Sequence, residues 1–304
     1  MKLSALGIAM VLIAGPALAA DDELDATYQS LKDAVAKKDP AQVKKVALEI
    51  YPLVCMELSA PVPQKEEEKD AWTSRLAYAK GINDYLEYGI YSTAVGSPPA
   101  AMVDLLGVLE AQFPKSKYLD SVYGAYLVAL NQTGAAAKIP GIAEKGLENF
   151  PDNEDLLLFL TDHSLSRKQP DRALTYANRL VAVLSRRPRR EGFSAADWER
   201  KRSAGLARGY WTAGVIYGER SQFVAADKNL RAALPLIQGS PAMMGPALFY
   251  LGNANYQLGK QTLNKALVLD GAKFSEQCAA IDTPYAEQAR HNALVMRNDA
   301  ARMR

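Results

Sequence analysis

From about residue 20 onward, apolar positions recur at spacings of three and four rather than two. That is the repeat of a helix with one buried stripe. Polar residues set before prolines punctuate the pattern: Asp39-Pro40, Ser97-Pro98, Gln169-Pro170, Ser240-Pro241 and Thr283-Pro284. Proline costs nothing at the first helical position, where its missing N–H would be unpaired anyway. The residue before it can cap the free amides. Ser194 with Asp197 resembles a capping box. These signals predict helix pairs 22–37 with 40–58, 65–94 with 98–112, 116–131 with 135–149, 153–167 with 170–186, 194–219 with 221–237, and 241–258 with 262–281, then a last helix over 284–302. No stretch alternates with a period of two or carries a hairpin turn. The expected fold is all-α, an α-solenoid of about six antiparallel helix pairs plus a C-terminal capping helix. Phe113-Pro114 and Phe150-Pro151 lie 37 residues apart, and Pro188 follows 37 after Pro151, a period of the size that marks stacked helical repeats.

The segment from Ala207 to Gln238 sharpens this. Ala213-Gly214 and Tyr217 occupy its first helix; Phe223, Ala226, Leu230 and Ala233 occupy its second. This resembles the tetratricopeptide repeat, with its Leu-Gly-x-x-Tyr core and small residues in the second helix. Gly214 and Ala226 would let two backbones approach closely. A second, shifted match has Leu251-Gly252, Tyr256, Gly259-Lys260, Ala272, Ala279 and Pro284. It carries about eight extra residues, which predict two lengthened helices. Weaker matches are Tyr123-Gly124, Ala136, Ala143 and Pro151, then Ala173, Ala177 and Pro188, with Thr161 where glycine is expected. The resemblance is best over 115–285; the first two pairs match in periodicity alone. It implies that the first helix of each pair lines a concave groove, which assigns Arg208, Trp211 and Val215, then Phe249, Asn253 and Tyr256, with Asp162 as a weaker member. Arg208 and Trp211 lead, because arginine and tryptophan dominate interface energetics.

The first residues read differently. Lys2, the apolar run Leu3–Gly15, Pro16 and Ala17-Leu18-Ala19 have the order of an export signal cleaved after Ala19. Its brevity is bacterial, and no cysteine stands at the cut for a lipid anchor. The expectation is a signal peptide at 1–19, a repeat domain at 20–304, a periplasmic or secreted location, and no later membrane span.

Composition narrows the function. With 49% apolar and 23% charged residues and a net charge of +2, the chain is neither disordered nor collagen-like. Bulk charge does not point to nucleic acid. The neutrality hides a local charge of −5 over residues 20–70 and of +5 over 186–208. The basic segment contains Arg186, Arg187, Arg189, Arg190, Arg200, Lys201 and Arg202, either a solvated surface or a patch for an acidic partner or lipid surface. Glu66-Glu67-Glu68 reads as a first turn suited to the helix dipole.

Chemistry is sparse. No phosphate-binding glycine loop, nucleophile elbow or zinc-protease motif occurs. Asp162-His163-Ser164 puts triad residue types side by side, but neighbours on a helix point apart. His291 is expected at the surface, and no metal site or cofactor is expected. Cys55 and Cys278 are expected as buried free thiols. Tyr78, Tyr85, Tyr88 and Tyr91 recur at helical spacing, read first as helix-contact packing. The leading expectation is thus a non-enzymatic scaffold binding a protein or peptide. A carbohydrate or peptidoglycan binder and an α-solenoid hydrolase of envelope polymers are the alternatives.

Overall fold

The computed structural model describes residues 16–190 and 192–303, with side chains from residue 23 onward. The expected export segment lies outside the described residues as far as Gly15. Every described element is helical: α1 Pro16–Ala36, α2 Pro40–Leu58, α3 Glu66–Val95, α4 Pro99–Gln112, α5 Lys117–Gln132, a 3-10 turn at Ala136–Lys138, α6 Ile139–Asn149, α7 Glu154–Ser166, α8 Pro170–Arg186, α9 Ala195–Glu219, α10 Phe223–Ile237, α11 Pro241–Gln261, α12 Lys265–Ala279 and α13 Ala286–Arg302. No helix among them is long and apolar enough to cross a membrane.

The helices form two compact units, residues 1–139 and 140–304. Within each, the helix contacts among the described residues join elements one or two apart in order, as in an α-solenoid, where a helix buries its face against sequence neighbours. In the first unit α1 touches α3 and α3 touches α5; in the second α7 touches α9, α9 touches α11 and α11 touches α13.

One turn recurs. After α1, α5, α7, α9 and α11 the chain spends three residues, and the middle one is left-handed: Lys38, Gly134, Lys168, Ser221 and Leu263, with φ between 52° and 76°. The third residue's N–H reaches back five positions, Asp39 to Ala34, Ala135 to Leu130, Gln169 to Ser164, Gln222 to Tyr217 and Asn264 to Gly259. This is the Schellman closure, which satisfies carbonyls a helix end leaves free. The α3–α4 turn differs for a covalent reason. Its third residue is Pro98, which has no N–H to donate. Ser97 Oγ instead donates to the Thr93 carbonyl at 2.7 Å. A second turn repeats at the 37-residue spacing. Phe113 N–H donates to Leu109 and Phe150 N–H to Gly146, both at 2.8 Å. Ser116 and Asn153 then cap α5 and α7.

The expected close approach at Gly214 is present: a Cβ there would lie 2.6 Å from Leu230 Cγ and 3.1 Å from the Leu230 amide. The α11–α12 pair is closer still, since a Cβ on Gly271 would meet the Gly252 carbonyl at 2.8 Å. Thr161, which stands in place of a glycine, is buried and donates its hydroxyl to Leu157 O at 2.8 Å. Several expectations need correction. Of the polar residues before prolines only Asp39 caps its helix; Gln169 and Ser240 make no side-chain cap, α4 starts at Pro99 and α13 at Ala286. Of the last pair only α11 is long, 21 residues, while α12 has the same 15 as α10. Cys278 is buried, but Cys55 is only half-buried; both are free thiols.

Candidate functional site

The site lies in the second unit, where α7, α9 and the start of α11 border an open groove of about 760 Å³. Trp211 and Val215 pack from its side onto a core of Ala207, Leu230, Ala233, Ile237, Ala247 and Leu251. Leu165, Ile216, Pro246 and Tyr285 complete the apolar lining. Trp211 is pinned, because its Nε1 donates to the Met243 carbonyl at 2.8 Å. One turn before it on α9, the Arg208 guanidinium lies 5.1 Å from the Trp211 ring centre. Its Nε donates to Asp162 Oδ1 on α7 at 2.5 Å. Asp162, Arg208 and Trp211 are thus a pre-set row, with the cation held between a carboxylate and a ring face.

Thr212, also on the groove, is 1% exposed, and its hydroxyl has no hydrogen-bond partner among the described residues. A buried polar atom left unpaired costs about 1–3 kcal/mol.

Four of the seven expected groove residues, Asp162, Arg208, Trp211 and Val215, therefore share one wall. The other three do not. Phe249 packs on Tyr285 with ring centres 5.0 Å apart. Asn253 accepts from Asn292 at 3.2 Å, and Tyr256 OH donates to Asp299 at 2.5 Å. All three are engaged by the chain at or within α13.

The basic segment is rearranged by one carboxylate. Glu154, at the start of α7, is 2% exposed, the only buried charged side chain among the described residues. It meets Arg187 Nη1 at 2.6 Å, Arg190 Nη1 at 2.8 Å and Lys201 Nζ at 3.1 Å. Lys201 also holds Asp155 at 2.6 Å. Burial opposes ionisation of Glu154, but Lys201 and Arg190 outweigh it and hold the carboxyl below its usual range. Arg186 pairs with Asp152, Arg200 with Asp197 and Arg202 with Glu199, while Arg189 is exposed. The seven residues are thus not displayed as one basic patch. Three of them turn inward on an acid 33 or more residues away, a partner that local charge counting does not reveal.

His163 stacks on Phe159, and His291 is exposed. No group of three or more His, Cys, Asp or Glu among the described residues could hold a metal ion. Comparison with known proteins adds no relative: no protein-family model matches the chain, and no curated protein matches it.

Proposed function

We propose that this chain is an exported scaffold of tetratricopeptide type, about six helix pairs closed by α13, that binds a protein or peptide partner in the groove of α7 and α9. The repeat reading is supported by the shared left-handed turn and by the contacts between alternate helices. Export is supported by the order of residues 1–19. The observation that carries the binding reading is the prepared groove wall: Trp211 pinned by Met243 and Arg208 pinned by Asp162. Groups already held in place lose little freedom on binding, so more of their contact energy appears as affinity. Glu154 does not support a hydrolase, because a carboxylate 2% exposed and paired with Arg187, Arg190 and Lys201 is not placed to reach a substrate.

The test compares partner capture from the cell envelope by the wild-type chain, by Trp211→Ala and by Arg208→Ala, each checked for helical circular dichroism. A partner lost from both variants supports the groove. A partner retained by both rejects it. One feature favours a glycan ligand: Trp211 and Tyr285 share the groove with Asp162 and Gln169. Tryptophan fluorescence that peptidoglycan fragments leave unmoved would reject that second reading.

A further inference from the structure

The first unit carries a second surface, built from tyrosines. Tyr28 of α1 meets Tyr78 and Tyr85 of α3 edge-on, with ring centres at 6.2 and 5.6 Å. Tyr118 of α5 meets Tyr88 at 6.0 Å and stacks on Tyr91 at 4.7 Å. Helices α1 and α5, each packed on α3, thereby place six phenol rings along it. Packing accounts for part of it, but Tyr78 and Tyr88 are each 47% exposed.

What these rings attract is visible within the chain. The Lys32 ammonium lies 4.6 Å from the Tyr28 ring centre, and the Lys117 ammonium 5.1 Å from that of Tyr118. Tyr78 OH donates to Asp25 at 2.7 Å, so one exposed ring has a carboxylate beside it. That hydrogen bond, with burial, pushes the Tyr78 phenol up to about 12 and keeps it neutral. Residues 20–70, which carry Tyr28 and Asp25, hold twelve acidic and seven basic side chains, while residues 71–139, which carry the other five rings, hold five of each. Negative charge draws a cation in, and ring faces then hold it.

We propose that the tyrosine row is a docking surface for a cationic, extended segment of a partner protein, with Tyr78 and Tyr88 each taking one lysine or arginine side chain. Ten residues carry the chain about 15 Å along the helix axis and about 80° around it, so the two rings stand about 15–20 Å apart. An extended chain covers that distance in about four to six residues. Side chains on one side of an extended chain recur at even intervals, so the segment should present its cations four or six residues apart.

The test titrates the full chain, by calorimetry at low salt, with a Ser/Gly peptide carrying two lysines, made with spacings of four and of six residues. Its controls are the same peptide with two glutamates and an N-acetylglucosamine oligomer. The lysine peptide should bind at one spacing or both, and the two controls should not. Two exposed cation–ring contacts predict that Tyr78→Leu with Tyr88→Leu weakens binding about five- to thirtyfold. Tyr78→Phe with Tyr88→Phe, which keeps both rings, should stay within about threefold. All four substitutions lie at half-exposed positions, and circular dichroism checks the fold. Equal binding by the leucine pair would overturn the proposal. So would no binding of the lysine peptide at either spacing, or binding of the oligosaccharide in its place.

Discussion

Replacing Glu154 by glutamine removes one charge and almost no volume from the best-buried ionic cluster described. The carboxylate faces three cations at 2.6 to 3.1 Å, whose side chains are 22%, 11% and 24% exposed. Removing one partner of a buried ion pair costs about 3–5 kcal/mol when the rest stays uncompensated. Here compensation is partial. Lys201 keeps Asp155, and Arg187 keeps the Asp152 carbonyl at 2.6 Å. We therefore expect Glu154→Gln to cost about 2–3 kcal/mol at pH 7, below that range. The pH dependence has a fixed sign. A carboxyl held below its ordinary value of 4.5 stabilises the fold above that value, and the contribution fades as pH falls toward the folded-state pKa. Urea denaturation of both proteins between pH 7 and pH 3 should show a gap that is constant down to about pH 5 and narrows below. A cost under about 0.5 kcal/mol at pH 7, or a gap that widens in acid, would refute the reasoning.

Three further outcomes follow from the packing. Gly214→Val should lose about 1–3 kcal/mol by overpacking, and Leu230→Ala in the same chain should recover part of it, since Leu230 is the neighbour met first; denaturant midpoints check this. Leu263, 81% exposed with φ 52°, pays for a left-handed backbone without burying its side chain, so Leu263→Gly should stabilise by about 0.5–1 kcal/mol. The Cys278 thiol is buried, donates to the Gly245 carbonyl at 3.3 Å and is pushed up to about 11 by burial; a thiol reagent at pH 8 should label half-buried Cys55 first and Cys278 only on unfolding.

Helix positions were legible because proline and capping residues act locally. Asp39 caps α2 by accepting from the Ala41 and Gln42 amides, and Pro40 and Pro170 stand at the first positions of α2 and α8. Their left-handed turns were not legible. Lys38, Lys168, Ser221 and Leu263 lack the glycine that usually signals such a conformation, and only the five-residue closure shows them. In the groove, Arg208 over Trp211 follows from a spacing of three on one helix. Its anchor Asp162 lies 46 residues away, within reach of the family resemblance but not of periodicity. The same resemblance assigns Phe249, Asn253 and Tyr256 to the groove, yet the region of α13 engages them. α13 packs against α12 and α11, and a contact made by a following helix is not set by the spacing within α11.

The groove itself is open to direct test. A photo-reactive amino acid placed at Val215, and separately at Leu165, should join one discrete polypeptide in the cell envelope. The same residue at Val224, on α10 and 72% exposed, should join none. Absence of an adduct at both groove positions, or an equal adduct at Val224, would contradict the assignment of the α7–α9 groove as the binding surface.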